Sequence, residues 1–192
     1  MNAARESARA FVALPLGAEL GAAVAARCAT ALESAPFRLA RGEGLHLTLF
    51  FLGSVGRQDL PGLAAALGAS LAGLAAPSLG LGGTGAFPSA SNARVLWIGV
   101  EERGGPGRLE ACRRAVLDGL TRAGVDTRAE EDRPFRPHVT VARGRARLPA
   151  AFGALVLGLD WNPEGVELLE SEVGPGGSRY ACLERFPFPS EE

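Results

Sequence analysis

With 192 residues, 47% of them hydrophobic and 21% charged, the chain is sized for one domain or two closely packed small lobes. A formal net charge of −1 excludes a protein that coats long nucleic acid by neutralising phosphates, yet leaves room for one phosphate or one RNA end in a local pocket. All 20 basic side chains are arginine, which closes the reactions that need a lysine: Schiff-base formation, adenylation of the enzyme and a Walker-A phosphate loop.

The first residues, Met1–Arg9, lack the apolar core of a secretory signal, and the longest apolar stretches are strand-length or broken by Gly, Arg and Glu. A soluble, cytoplasmic protein with no membrane partner is expected. Cys28, Cys112 and Cys182 are far apart and odd in number, so they read as free thiols in a reducing compartment. With two histidines in the chain they make no recognisable zinc set.

In chain order, Ala8–Leu16 reads as an apolar strand with a Pro-Leu-Gly exit. Ala18–Ser34 reads as a helix with a stripe at Leu20, Val24, Cys28 and Leu32, ended before Pro36. Leu45–Leu52 is a strand stopped by Gly53. Asp59 is a candidate cap, and Pro61 a first-turn residue, for a helix reaching about Ala75. Leu79–Gly82 and Arg94–Val100 read as strands around a loop holding Phe87, Pro88, Ser89 and Asn92.

The second half repeats this rhythm. A helix spans about Gly107–Ala123, a strand Arg136–Arg143 and a short apolar stretch Leu148–Leu159. Val166–Ser171 and Arg179–Phe186 form a hairpin about Gly174-Pro175-Gly176-Gly177. The pattern predicts an α+β protein of two similar lobes, each offering a helix followed by a histidine-bearing strand. Gly80–Gly85 matches the G-x-G-x-x-G spelling of a dinucleotide loop, but no helix opens after it, so a flexible turn is expected there.

The two histidines carry the chemistry. Each opens the same tripeptide inside an apolar run: His46-Leu47-Thr48 and His138-Val139-Thr140. Residues i and i+2 of a strand share a face, so His46 projects with Thr48 and His138 with Thr140, while Leu45, Leu47, Leu49 and Phe51 oppose the first pair. Two imidazoles near neutrality can supply a base and an acid, and two hydroxyls can donate to phosphate oxygens. Transfer at phosphorus without a metal suits that set. A cyclic phosphodiester fits it in particular, because ring opening needs both an activated attacker and a protonated alkoxide leaving group.

Arg133, Arg136, Arg143, Arg145 and Arg147 surround the second tripeptide with no acidic residue from Arg133 to Leu159. They read either as a solvated basic surface or as a phosphate clamp, with Arg143 and Arg136 the candidates by proximity to His138. Phe50, on the His46 face by parity, and Phe135, before the second strand, are candidates for stacking on a base; core packing is the ordinary role of each.

The stretches LHLTLFFLG (Leu45–Gly53), RVLWIGV (Arg94–Val100) and RPFRPHVTVAR (Arg133–Arg143) resemble the two-histidine (2H) phosphoesterases. Within them the resemblance is to the RNA 2′,3′-cyclic phosphodiesterases, also called 2′-5′ RNA ligases. The stretches RAFVALPL and SRYACLERFPF look like that family's outer strands, and Val141 stands where the family commonly has Leu. The resemblance implies one bilobal domain over the whole chain: two antiparallel β-sheets with outer helices around a central cleft, related by a pseudo-two-fold axis. It implies His46 as proton donor, His138 as proton acceptor, and Thr48 and Thr140 on the phosphate oxygens. It further implies a monomer that needs no cofactor or metal. Its partners would be RNA ends or nucleotides with a 2′,3′-cyclic phosphate, tRNA fragments among them, opened to a 2′-phosphate, with ATP-independent 2′-5′ ligation as the reverse reaction. Two alternatives stay open. One is a phosphodiesterase for another small cyclic nucleotide, such as an ADP-ribose-derived cyclic phosphate. The other is a nucleotide- or RNA-binding module without catalysis, against which two intact tripeptides weigh.

Overall fold

The computed structural model describes residues 6–104, 107–128, 134–174 and 177–189. The strands are β1 (Ser7–Pro15), β2 (Phe37–Leu39), β3 (His46–Gly56), β4 (Leu79–Pro88), β5 (Ala93–Glu102), β6 (His138–Ala146), β7 (Leu159–Trp161), β8 (Gly165–Gly174) and β9 (Gly177–Pro187). The helices are α1 (Ala18–Ala31), α2 (Leu60–Leu71), α3 (Arg108–Arg122) and the single-turn α4 (Ala150–Gly153).

The strands form one curled sheet in the order β7-β4-β5-β6-β3-β1-β8-β9, with β2 alongside β6, and these neighbours pair antiparallel throughout. Lobe one is β3-β1-β8-β9 and lobe two is β6-β5-β4-β7, so the two histidine strands are the inner strand of each lobe. They meet at one ladder pair, Leu47 with Val139. The two sheets expected around a cleft are thus joined edge to edge, and the histidine strands are neighbours in that sheet.

Alternation explains the core. Leu47 and Leu49 of β3, Val139 and Val141 of β6, Val12 and Leu14 of β1 and Leu96 and Ile98 of β5 turn to one side and are buried. Helices cover that side: α2 presents Leu63, Leu67 and Leu71, and α3 presents Leu109, Val116 and Leu120. The start of α3 is tied to the end of β5, where the Glu102 carboxylate accepts from the backbone N–H groups of Gly107, Arg108 and Leu109 at 2.6 to 3.1 Å.

Several boundaries differ from those read off the sequence. Gly53 does not stop β3; it adopts φ 74° inside the strand. Asp59 lies in a 3₁₀ turn, Arg57–Asp59, and makes no capping hydrogen bond. Pro61 is in the first turn of α2 as expected, and the helix ends at Leu71, with Gly73 at φ 75° turning the chain away. The G-x-G-x-x-G stretch lies wholly inside β4, paired with β5, so it is a strand where a flexible turn was expected. The short β2 and the 3₁₀ turn Gly42–Gly44 had no sequence signal. The hairpin is β8–β9, and the tip of its turn, residues 175–176, lies outside the described residues.

One contact seats the turn before His46. A Cβ added at Gly21 of α1 would overlap the Gly42 carbonyl, so the two backbones touch with no side chain between them. Helix propensity alone favours Gly21→Ala by about 1 kcal/mol. The packing reverses the sign, and thermal melting should show Gly21→Ala to be destabilised; a higher Tm would show that the turn does not rest on α1.

Candidate active site

The Leu47–Val139 pair fixes what stands above it. Extending that antiparallel register by one residue each way sets His46 opposite Thr140 and Thr48 opposite His138, all four projecting from the same face. All four line one cleft of about 780 Å³, whose wall also includes Phe11, Phe51, Arg143 and Tyr180. The convergence that the two tripeptides required is therefore present, from adjacent strands of one sheet.

Both rings are held the same way. His46 Nδ1 lies 2.7 Å from the carbonyl oxygen of Gly44, and His138 Nδ1 lies 2.7 Å from that of Arg136, in each case two residues upstream. An Nδ1–H donating to a carbonyl leaves Nε2 free to take or give a proton. The His46 ring sits against Phe11 at 4.8 Å and edge-on to Tyr180 at 5.0 Å. The His138 ring stands edge-on to Phe87 at 5.1 Å and tilted to Trp97 at 6.3 Å. None of these four aromatic neighbours was a candidate site residue in the sequence, because each comes from a different strand than its histidine.

Burial against these rings pushes the His46 imidazole down to about 4; the Gly44 carbonyl opposes the shift, and the charges of Arg143 and His138 add to it. His46 is neutral at pH 7 in the free protein.

A one-residue β-bulge follows each tripeptide. In β3 the ladder with β1 passes from Thr48 (opposite Ala13) to Phe50 (opposite Val12), skipping Leu49. In β6 the ladder with β5 passes from Thr140 (opposite Trp97) to Ala142 (opposite Leu96), skipping Val141. Each extra residue reverses the alternation. Phe50, placed on the His46 face by parity, is buried in the core at 5% exposure, and Phe51, placed in the core by parity, stands 66% exposed on the cleft wall. The equivalent bulge brings Arg143 onto the His138 face, beside His46.

The other arginine and phenylalanine candidates lie elsewhere. Arg136 contributes its carbonyl to His138, and its side chain is not part of the cleft wall: β6 begins at His138, so alternation does not extend back across Pro137. Phe135 packs against the core with the Arg113 guanidinium 4.7 Å above its ring, away from the cleft. Arg145 and Arg147 are exposed and outside the cleft, and Arg133 lies outside the described residues. Among the described residues, the cleft draws its remaining positive charge from Arg9, Arg38, Arg41 and Arg179, against the carboxylate of Glu43. Arg9, Arg38 and Arg179 come from β1, β2 and β9 and are not clustered in sequence.

A protein-family model, the 2′-5′ RNA ligase superfamily, matches residues 17–174. The chain belongs to that superfamily. It is 40% identical over 148 residues to an RNA 2′,3′-cyclic phosphodiesterase of Thermus thermophilus, covering 77% of this chain and 73% of the relative. It is 36% identical over 134 residues to an RNA 2′,3′-cyclic phosphodiesterase of Geobacillus stearothermophilus, covering 69% of this chain and 41% of that longer relative. Among solved structures, TT0787 of Thermus thermophilus superposes with a TM-score of 0.78 at 34% identity, over 96% of this chain and 100% of that one. Escherichia coli LigT complexed with 3′-AMP superposes with a TM-score of 0.76 at 25% identity, over 96% of this chain and 100% of that one. The bilobal antiparallel fold is the one these structures share.

The low proton affinity of His46 has two measurable consequences. An unfolded imidazole titrates near 6.5, so the unfolded chain takes the proton first; His46 lowers stability as pH falls from about 6.5 to about 4 and has no such effect above that range. In an NMR titration His46 should show its midpoint near 4, and Arg143→Ala should raise it while burial keeps it below 6.5. An unchanged midpoint in that variant would show that Arg143 does not act on His46.

Proposed function

We propose that this chain hydrolyses RNA and nucleoside 2′,3′-cyclic phosphate ends to 2′-phosphates by metal-independent acid–base catalysis. The observation that carries the reading is the convergence of His46, Thr48, His138 and Thr140 on one face of one cleft. The names of the Thermus and Geobacillus relatives and the nucleotide held by LigT agree with it.

In this mechanism His138, held by the Arg136 carbonyl, takes a proton from water at Nε2 as the water oxygen bonds to phosphorus. The phosphorus–O3′ bond breaks, and His46 donates a proton from Nε2 to the departing O3′. Thr48, Thr140 and Arg143 hold the non-bridging oxygens, where negative charge builds. His46 is neutral when free, so its role as acid requires a proton that arrives with substrate. An anionic phosphate beside it offsets the charge of Arg143 and favours the imidazolium. With the 5′-hydroxyl of a second RNA end in place of water, its oxygen bonds to phosphorus as the phosphorus–O3′ bond breaks, which gives 2′-5′ ligation at the same site with no adenylated intermediate.

Purified protein incubated in EDTA with nucleoside 2′,3′-cyclic phosphates and short cyclic-ended RNAs should form the 2′-phosphate isomer. His46→Ala and His138→Ala should each lower kcat by about 10²–10⁴-fold with an unchanged circular-dichroism spectrum. Near-native turnover in either variant would remove that residue from the acid–base pair, and loss of wild-type activity in EDTA would remove the metal-independent mechanism. Titration of His46 by NMR in saturating nucleoside 2′-phosphate should move its midpoint up from about 4. A midpoint that stays in place would argue that His46 is the base and His138 the acid.

A further inference from the structure

The His46 end of the cleft holds a guanidinium that the proposed mechanism does not use. Thr48, Thr140 and Arg143 meet the non-bridging oxygens of the cyclic phosphate. Arg38 stands one strand away, as the register partner of Arg143 across β2 and β6, and both residues line the cleft. Neither has an ion-pair partner among the described residues. Glu43, the one carboxylate of the described cleft wall, faces Arg41 at 3.9 Å. Like charges directly opposite each other in a ladder repel, so the Arg38–Arg143 pair costs stability until anions occupy it.

The backbone builds this pair. Past the Leu47–Val139 contact, β2 takes over the edge of β6 that β3 leaves, with Leu39 opposite Ala142 and Phe37 opposite Gly144. A Cβ at Gly144 would overlap the Pro36 carbonyl and the Phe37 ring, so only a bare backbone admits β2 this closely. Phe37 is buried, and alternation turns Arg38 the other way, into the cleft.

Ribose connectivity gives a second anion its direction. C3′ carries the departing O3′ and leads through C4′ to C5′ and its oxygen, whereas C2′ leads to C1′ and the base. With O3′ at His46, the 5′ side of the terminal nucleotide is carried toward the same end of the cleft. Arg143 stands at that end, beside His46, with Arg38 opposite it.

We propose that Arg38 and Arg143 divide two phosphates of one substrate between them, Arg143 holding the cyclic phosphate and Arg38 the phosphate on the 5′-oxygen of the terminal nucleoside. Arg38 is then a specificity-determining residue that favours a 5′-phosphorylated end over a cyclic nucleoside phosphate with a free 5′-hydroxyl. The subsite rests on the cyclic-phosphodiesterase reading with His46 as its acid.

The test compares kcat/KM for adenosine 2′,3′-cyclic phosphate, its 5′-phosphorylated form and a cyclic-ended dinucleotide. A charge-assisted contact to the added phosphate should raise the value about tenfold. A gain in the dinucleotide assigns the subsite to RNA ends, and a gain in the 5′-phosphate alone assigns it to free nucleotides. Arg38→Ala should lower kcat/KM about tenfold more for the gaining substrate than for the 5′-hydroxyl one, and Arg38→Lys should restore part of the difference. No gain in either substrate, or an equal loss on all three in Arg38→Ala, overturns the subsite. Calorimetry separates this outcome from the activity reading. Adenosine 2′,5′-bisphosphate should bind the wild type about tenfold more tightly than adenosine 2′-phosphate, and Arg38→Ala should erase that difference. Equal affinities in the wild type overturn the subsite while turnover still stands. Inactivity on all three substrates overturns the activity reading and the subsite with it.

Discussion

A single antiparallel pair, Leu47 with Val139, joins the two lobes and decides where the two histidines and two threonines of the cleft stand. Both side chains are buried, at 1% and 0% exposure, so the helix-covered core fixes which way these residues face. Their neighbours then have no choice: His46, Thr48, His138 and Thr140 must project to the opposite side. The antiparallel register also crosses the sets, placing each histidine beside the other strand's threonine. A parallel pairing would have put the two imidazoles side by side. The crossed arrangement sets the two imidazoles on one diagonal of the four residues and the two hydroxyls on the other.

Bulges set what lies beyond the threonines. Without them strict alternation would bury Phe51 and Arg143 and leave Phe50 and Ala142 in the cleft. One extra residue after each threonine exchanges the members of each pair, so that Leu49 with Phe50, and Val141 with Ala142, both face the core. The bulges fall at the same place in both lobes, and the repeat is therefore in the backbone as well as in the spelling of the tripeptides. It places a chosen side chain three residues beyond each threonine, and that side chain differs between the lobes.

This explains what was legible in the sequence and what was not. The histidine strands, their inward leucines and valines and the paired hydroxyls follow from apolar alternation, which is a local property. α1 to α3 follow from spacing and Gly or Pro punctuation. Alternation also misled at one point, the exchange of Phe50 for Phe51, because no residue type announces a bulge in a run such as Leu49-Phe50-Phe51-Leu52. β2, with its Arg38, is three residues long and exists because β6 offers it an edge. Tyr180 reaches His46 from the far side of lobe one, and Arg9, Arg38 and Arg179 reach the cleft from three separate strands. Such placements are decided by long-range pairing. The cluster that does lie together in sequence, around Arg133–Arg147, puts one described guanidinium, that of Arg143, on the cleft wall.

The near-symmetry of the two lobes poses a chemical problem. Two identical histidines, each held through Nδ1 by a carbonyl two residues upstream, would have identical proton affinities and no assigned roles. An acid and a base must differ. The surroundings of the two rings differ: His46 is packed between Phe11 and Tyr180 with Arg143 beside it, which lowers its proton affinity, and His138 faces Phe87 and Trp97. The arginine at the bulge of β6 stands where β3 has phenylalanine, so the cleft wall is charged at this position in one lobe and apolar in the other. In the free protein that same arginine helps drive the proton off His46, and in the proposed mechanism a bound phosphate offsets its charge. Under the proposed mechanism substrate binding therefore sets the protonation state that the reaction needs, and an anion-free cleft holds its acid unloaded until an anion arrives.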